Sequence, residues 1–212
     1  MIDPIIFRAY DIRGVVEETL TEVAVYEIAS AIGTMAHELG QQRIVVARDG
    51  RESSLGLSEI LIKGLISTGR DVIDIGMVPT PLLYFATYHL GTGSGVMITG
   101  SHNAAEYNGL KIMLDGNTLS GEEIKDIQNR THSADYVVGE GDVSYLDITA
   151  DYIRRIIEDV PTHTDTPLKI VVDCGNGVAG ILAPQLLNAL GHDVIELYCE
   201  IDGKFPNHHP DP

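Results

Sequence analysis

The sequence contains few cysteines and few basic residues. Its 212 residues include two cysteines, Cys174 and Cys199, which are too few for a disulfide framework and suit a reducing compartment. Lys and Arg together number 14 against 31 Asp and Glu, so the formal net charge is −17. Nucleic acid and anionic membrane surfaces both require a basic footprint, and they are therefore excluded as general partners. An anionic ligand would need a local cluster of the few cations.

A signal peptide pattern is missing as well, because no basic region followed by a long apolar run appears at the N-terminus. Residues 75–105 contain no Asp, Glu, Lys or Arg, and this length could cross a bilayer. Pro79, Pro81 and the glycines between 91 and 95 interrupt the span, so we interpret it as buried helix and strand. Together with the cysteine content, these features predict a cytoplasmic protein without a membrane partner.

Apolar runs alternate with amphipathic segments along the chain. Strands are predicted over residues 43–47, 71–75, 96–98, 110–114, 168–173 and 193–198. Helices are predicted over residues 22–39, 55–67, 79–89, 121–131, 146–160 and 178–190. This alternation predicts an α/β fold with a mixed, mostly parallel sheet and helices on both of its faces.

The chain is predicted to contain two similar α/β domains. Residues 133–143 are polar and lack periodicity, so the boundary is placed to give a first domain of residues 1–145 and a second of residues 146–212. The second domain has only two predicted strands and one helix, which would leave apolar sheet edges open. We therefore expect this domain to be incomplete and the 212 residues to be part of a longer protein.

A polar cluster follows the short apolar run Val96–Ile98. Ser101, His102 and Asn103 come directly after Gly100, and Lys111 lies in the next apolar run. Open α/β sheets bind their ligands outside the carboxyl ends of the strands. Ser101 is therefore a candidate nucleophile or phosphate carrier, and the alternative is an ordinary loop that ends a strand.

The arginines concentrate near the same predicted edge. Arg8 and Arg13 lie close to the N-terminus. Arg48 and Arg51 lie in the turn that follows the strand predicted over residues 43–47. Because loops after parallel strands gather at one edge, Arg48, Arg51 and Ser101 are expected to lie together. A cationic pocket in an acidic protein indicates a phosphorylated substrate. The alternative is that these arginines pair with the abundant acidic residues.

Two further motifs allow other functions. A G-x-G-x-x-G pattern at 175–180 follows a predicted strand, and Glu196 lies near the position of a ribose-binding acid, which gives a dinucleotide-binding oxidoreductase domain as an alternative. The other interpretation is a tight turn whose glycines allow close packing. His208 and His209 with Asp211 could suggest a metal site, but adjacent residues in extended chain point to opposite sides. We do not expect a chelate there.

Four segments occur together in a specific order: residues 7–14, residues 99–103 with 107–111, residues 172–177 and residues 205–212. Their sequences are FRAYDIRG, TGSHN with YNGLK, VDCGNG and FPNHHPDP. Together they resemble the α-D-phosphohexomutase family, and within it the bacterial phosphomannomutase/phosphoglucomutase branch. The resemblance covers nearly the whole chain.

The resemblance implies an enzyme of four domains that interconverts hexose 1-phosphate and hexose 6-phosphate of mannose or glucose. Ser101 matches the active serine, which carries a phosphoryl group and passes it to the sugar to form a bisphosphorylated intermediate. The same match implies that the phosphate on Ser101 is one ligand of Mg²⁺ and that hexose 1,6-bisphosphate is an activator. Its partners would be the phosphorylated hexose and the C-terminal domains of the same protein.

The resemblance also implies roles for five neighbours of Ser101. Arg13 and Lys111 would steady charge and assist proton movement, and both would contact substrate. Tyr10 would border the substrate, and His102 and Asn103 would orient the phosphoserine. His102 as a general base is a further option.

The sequence departs from the family pattern in two respects. Ala104 stands where the family usually has proline after the S-H-N triplet, so the loop is expected to be less rigid. The aspartate-rich Mg²⁺ loop, the sugar-recognising loop and the phosphate-binding domain are absent, so the 212 residues alone are expected not to turn over substrate. A non-catalytic sugar-phosphate-binding module is a third possible function.

Overall fold

The computed structural model describes residues 2–160 and 166–210. Within them, the first part of the chain forms a seven-stranded sheet. Its strands are β1 (Ile12–Val15), β2 (Arg43–Arg48), β3 (Asp71–Met77), β4 (Gly95–Ile98), β5 (Tyr107–Leu114), β6 (Asn117–Thr118) and β7 (Val143–Tyr145). Its helices are α1 (Glu22–Glu38), α2 (Ser54–Ile66), α3 (Thr80–His89) and α4 (Glu122–Ser133).

The sheet has the order β1-β5-β4-β2-β3-β7, and β6 pairs with β5. β4, β2, β3 and β7 run parallel to one another, whereas β5 is antiparallel to β4 and to β1. The predicted mixed, mostly parallel sheet is therefore confirmed. Because β2 is central, the loop after it lies beside the loop after β4.

β2 is buried on both faces of the sheet. Ile44 and Val46 pack into the cluster that contains α1 and α2, whereas Val45 and Ala47 pack into the cluster that contains α3. Alternate side chains of a strand point to opposite faces, so a continuous apolar run is what a strand covered by helices on both sides requires. The predicted layers of helices on both faces are confirmed.

The uncharged stretch 75–105 is indeed internal helix and strand, since it contains α3 and β4. Leu82 and Leu83 of α3 and Met97 of β4 are buried in one apolar cluster. Within residues 2–160 and 166–210, no helix is both long enough and apolar enough to cross a membrane.

The second part of the chain forms a smaller α/β unit. It contains the helix α5 (Thr149–Asp159), the strand β8 (Lys169–Asp173), a 3-10 turn (Val178–Ile181), the helix α6 (Ala183–Ala189) and the strand β9 (Asp193–Leu197). β8 and β9 pair in parallel as a two-stranded sheet. Val171, Ile195 and Leu197 are exposed on it, as expected of an α/β unit that is present only in part.

Two element predictions were wrong in detail. Residues up to 143 were predicted to lack a periodic pattern, and a helix was predicted from residue 146. The structure instead has the strand β7 there, and the helix α5 begins only at Thr149. β7 has three exposed residues, which are too few to show a strand period. The helix predicted over 178–190 is divided at Leu182 because Pro184, in the first turn of α6, has no N–H to continue a preceding helix.

Candidate functional site

The site begins with the loop that follows β4. The backbone N–H of Thr99 donates to the carbonyl of Gly109 over 2.9 Å, which ties the start of the loop to β5. Ser101 is exposed and has a φ of 55°, in the left-handed region. Its N–H donates to Oγ1 of Thr99 over 2.9 Å. The loop therefore presents the Ser101 side chain outward on a backbone turn that is fixed from within.

Arg51 lies in the centre of this loop. Nη1 donates to the carbonyls of Ala104 and Tyr107 over 2.6 and 3.0 Å. Nη2 donates to the carbonyls of Ser101 and Asn103 over 3.0 and 2.7 Å. The guanidinium thus joins four points along one loop, and Arg51 is only 4% exposed.

Asp49 holds Arg51 in this orientation. One carboxylate oxygen accepts from Nε of Arg51 over 3.2 Å and from the N–H of Gly100 over 3.2 Å. The other oxygen accepts from the N–H of Arg51 over 3.1 Å and from the hydroxyl of Ser54. Burial lowers the pKa of Arg51, and the charges of Asp49 and Glu106 act in the opposite direction. The ion pair is buried and hydrogen-bonded on both sides, as a charge in a protein interior must be.

Gly100 allows the guanidinium to come this close. A Cβ at this position would lie 2.4 Å from Cζ of Arg51 and 2.6 Å from the carbonyl oxygen of Tyr107. Neither neighbour is free to move, since the arginine is fixed by five acceptors. The glycine before Ser101 is therefore a packing requirement of the loop.

Asn103 and Ala104 are held by the same loop. Nδ2 of Asn103 donates to the carbonyl of Gly100 over 2.6 Å, so this side chain faces inward. Ala104 replaces the proline of the family pattern, and its carbonyl is fixed by Arg51. His102 is exposed next to Ser101.

The two candidate cations lie around one carboxylate. Arg13 and Lys111 approach Asp11 at 4.0 and 3.8 Å, and their side chains are 31% and 30% exposed. The pairing of β1 with β5 brings them together, because Arg13 lies opposite Gly109. Tyr10, the neighbour of Asp11, is 75% exposed. Sequence reasoning missed Asp11, although an acid between two basic residues in the N-terminal segment was a usable signal.

A cleft of about 480 Å³ separates the first unit from the second. The first unit contributes residues 49–51, 79–81, Thr99 and Ser101, and the second contributes residues 173–179, Phe205 and residues 208–210. Of the six residues to which the family resemblance assigns roles, Ser101 alone is among the described residues that line this cleft. Asn103 faces into the Ser101 loop. Arg13 and Lys111, which both approach Asp11, lie on β1 and β5.

The opposite wall of the cleft carries an aspartate and a histidine. Oδ1 of Asp173 accepts from Nε2 of His208 over 3.0 Å and from the N–H of Gly175 over 2.9 Å. The His209 carbonyl and then Asp173 raise the pKa of His208, and the bond from His208 lowers the pKa of Asp173. His208 is thereby engaged with Asp173 and not with His209 as a chelate, and Asp211 lies outside the described residues.

The glycine turn at 175–180 is tied to the segment after β9. The N–H of Asn176 donates to the carbonyl of Tyr198, and the N–H of Gly177 donates to that of Cys174, over 2.8 and 2.7 Å. A Cβ on Gly180 would lie 2.0 Å from the carbonyl oxygen of Cys199. These amides are used within the protein, so the arrangement favours a packing turn over a pyrophosphate cradle.

The two cysteines are adjacent thiols. Their Sγ atoms are 3.4 Å apart, and both residues are partly buried. Burial, followed by the hydrogen bond with Cys199, raises the pKa of Cys174 to about 12. Cys174 is therefore a protonated thiol at neutral pH.

The prediction that Arg51 and Ser101 share an edge is confirmed, whereas the role expected for Arg51 is not supported. Its N–H groups bind backbone carbonyls and Asp49, which leaves it as a loop-holding residue and not a phosphate ligand. Arg48 pairs in register with Ile98 at the same edge, and its guanidinium lies toward Gly76 of β3. The sequence alone does not distinguish an arginine that faces into a loop from one that binds a ligand.

The comparisons with known proteins agree with these observations. Residues 4–137 match the family described as phosphoglucomutase/phosphomannomutase, alpha/beta/alpha domain I, and residues 150–212 match alpha/beta/alpha domain II. The phosphomannomutase/phosphoglucomutase of Pseudomonas aeruginosa is 52% identical over 207 residues, which are 98% of this chain and 44% of that protein. The phosphoglucomutase of Neisseria meningitidis serogroup A is 47% identical over 98% of this chain and 45% of its own length.

A crystal structure of a phosphoglucomutase/phosphomannomutase family protein from Burkholderia thailandensis is similar throughout the chain. Its TM-score is 0.94 at 44% identity, and the match covers 99% of this chain and 47% of that one. The chain therefore spans about half the length of the proteins it matches.

Proposed function

Since the chain belongs to the phosphoglucomutase/phosphomannomutase family, we propose that the protein it forms part of interconverts hexose 1-phosphate and hexose 6-phosphate of mannose, glucose or both. Ser101 is the phosphoryl carrier in this proposal. The sugar hydroxyl forms a bond to phosphorus as the bond to Oγ of Ser101 breaks, and the product is a hexose 1,6-bisphosphate. The bisphosphate turns round and returns its other phosphoryl group to Ser101.

The observation that carries this proposal is the position of Ser101. Its side chain is exposed at the wall of the cleft, on a loop that Arg51 and Asp49 fix from inside. Phosphoryl transfer depends mainly on positioning and on stabilisation of charge, with little covalent chemistry for the protein to perform. An exposed hydroxyl on a rigid backbone meets the first of these requirements.

The neighbouring residues supply the second requirement. We assign Arg13 and Lys111 to charge stabilisation and to movement of the proton that the sugar hydroxyl loses and the serine oxygen gains. Their shared contact with Asp11 keeps both cations partly exposed at one place. His102 and Asn103 orient the phosphoserine, and Tyr10 borders the sugar.

Magnesium is assigned to the phosphate on Ser101. Residues 2–160 and 166–210 contain no group of three or more His, Cys, Asp or Glu that could hold a metal ion. We assign the remaining ligands to parts of the protein outside these residues. When bound, the ion would neutralise charge on the phosphoryl group.

We further propose that the protein is cytoplasmic and acts on phosphorylated hexoses without nucleic acid or membrane as a partner. Hexose 1,6-bisphosphate is assigned as its activator. The domain boundary between residues 145 and 146 remains a prediction; β7, at its end, pairs with β3 of the first sheet.

The test is phosphorylation of Ser101 in the protein that contains this chain. We expect incubation with glucose 1,6-bisphosphate to add one phosphoryl group, located on Ser101 by tandem mass spectrometry, and Ser101→Ala to prevent it. The same protein should then interconvert mannose or glucose 1-phosphate with the 6-phosphate in the presence of Mg²⁺.

Ser101→Ala should lower turnover by several orders of magnitude, since it removes the group that forms the covalent intermediate. Sugar-phosphate binding without phosphate on Ser101 would indicate the non-catalytic module. Binding of NAD(H) in a fluorescence titration would instead support the dinucleotide-binding domain.

A further inference from the structure

The arginine inside the Ser101 loop suggests a role that depends on the proposed phosphoryl transfer. We propose that Arg51 is a positioning residue for Ser101, that its guanidinium sets the loop conformation from which the serine reacts, and that Phe205 of the second unit covers it. Arg51 does not touch the substrate in this proposal. It acts through the backbone of the residues around the serine.

The geometry of the guanidinium is suited to this task. Its bonds reach the carbonyls of Ser101, Asn103, Ala104 and Tyr107, so they extend from the serine to the first residue of β5. Arginine offers five N–H donors in a rigid plane, whereas lysine offers three donors on one rotating ammonium. A planar fork can hold four separate carbonyls in fixed relative positions, and an ammonium cannot.

The arginine is itself immobilised. Asp49 binds its Nε and its backbone N–H, and the same carboxylate binds the N–H of Gly100, one residue before the serine. The Ser101 backbone is thus held on both sides, by Asp49 at the preceding amide and by Arg51 at its own carbonyl. This explains how a serine is kept at a φ of 55°, where L-residues are disfavoured.

The second unit closes over the outer face of the guanidinium. Cζ of Arg51 lies 5.1 Å from the centre of the Phe205 ring, within the range of a cation–π contact. Beside it, Lys204 approaches Glu52 at 3.4 Å, and a Cβ on Gly203 would lie 2.9 Å from Cα of Arg51. The segment 203–205 therefore keeps water away from the hydrogen bonds that hold the serine loop.

The experiment compares Arg51→Lys with Arg43→Lys in the full protein. Arg43 lies at the other end of β2 and donates to the carbonyl of Leu90, so it matches the chemical change without contacting the loop. Two quantities are measured: hydrogen exchange of the backbone amides in residues 99–107, and the rate at which Ser101 accepts phosphate from glucose 1,6-bisphosphate. Circular dichroism checks that each variant is folded.

Arg51→Lys should raise exchange in residues 99–107 about tenfold, because the lysine cannot hold four carbonyls. It should slow phosphorylation of Ser101 about 100-fold, the effect expected of a misplaced reacting group. In turnover of the hexose 1-phosphate, KM should change much less than kcat. Arg43→Lys should alter neither the hydrogen exchange of residues 99–107 nor the rate of Ser101 phosphorylation. If Arg51→Lys keeps the loop protected and the rate within about twofold of the wild type, the proposal is wrong.

A second variant covers the case in which Arg51→Lys does not fold. Phe205→Leu keeps Arg51 and removes only the ring over it. It should raise hydrogen exchange in residues 99–107 a few-fold and leave hydrogen exchange in α1 unchanged. Unchanged exchange in residues 99–107 would overturn the proposal. The exchange measurement also separates the two proposals. If the wild type never carries phosphate on Ser101, the mutase function fails, while loop exchange still decides whether Arg51 positions the serine.

Discussion

Two aspartates occupy equivalent places in the two halves of the molecule. Asp49 directly follows β2, Asp173 ends β8, and each accepts a hydrogen bond from the backbone N–H two residues later. Asp49 is 7% exposed and pairs with a buried arginine, whereas Asp173 pairs with an exposed histidine. The same strand-end turn thus forms a buried ion pair in one place and an exposed pair in the other.

The difference follows from what covers each turn. Asp49 lies under the loop that carries Ser101, so water is excluded and its four hydrogen bonds are all internal. Both turns border the cleft, but Asp173 and His208 are exposed there, so solvent screens their interaction. Breaking the buried pair leaves a charge without a partner and away from water, whereas solvent weakens the exposed pair and makes it easier to break.

The largest expected effect is on the buried pair. Asp49→Ala leaves Arg51 buried without its counter-ion and the N–H of Gly100 without its acceptor. We expect a loss of about 3–5 kcal/mol in the free energy of unfolding, measured by urea denaturation. Asp173→Ala is the matched control and should have a much smaller effect. Equal losses would show that burial is not what distinguishes the two sites.

An intermediate effect should appear as a pH dependence of the exposed pair. The raised pKa of His208 means that its contribution to stability is complete below about pH 6.5 and is lost as pH rises through the folded-state pKa. The lowered pKa of Asp173 means that its contribution is present above about pH 3.9 and is lost as pH falls through the folded-state pKa.

The melting temperatures of wild type and His208→Asn should therefore differ most between about pH 4 and pH 6.5. Above this range the two curves should converge. A difference that stays constant up to pH 9 would contradict the linkage.

The smallest effect concerns chemical reactivity next to Asp173. A pKa of about 12 leaves Cys174 almost entirely protonated at pH 8, and the thiolate is the reactive form. In the native protein, iodoacetamide should modify Cys174 far more slowly than in the urea-unfolded protein, as read by peptide mass spectrometry. The Cys199→Ser variant isolates the signal of Cys174. Rapid modification at pH 8 would contradict the burial of this thiol.

Much of the fold was predictable because its signals are local. The runs at 44–47 and 96–98 are apolar throughout, which is typical of strands covered on both faces, and β2 and β4 were found there. β7 was not predictable, since three exposed residues carry no period and owe their pairing to β3. The break of the helix at Leu182 carries a local signal that was overlooked, because Pro184 has no N–H to continue a preceding helix.

The position of Ser101 after a strand was predictable, whereas the contacts that hold its loop were not. The polar residues after Val96–Ile98 indicated Ser101, because a strand end is where such a cluster belongs. The inward orientation of Arg51 depends on where the carbonyls of residues 101–107 point, and the sequence does not state this. The same limit applied to His208, whose partner lies 35 residues away in the chain.

The conformation of Ser101 has a consequence for how this position can vary. A left-handed φ costs an L-residue roughly 1 kcal/mol, and glycine would avoid that cost. The fold by itself would be better served by glycine, so the serine hydroxyl is present in spite of the backbone preference. Conformational stability and chemistry oppose each other at this residue, and a search for stabilising substitutions would select against the group on which the proposed reaction depends.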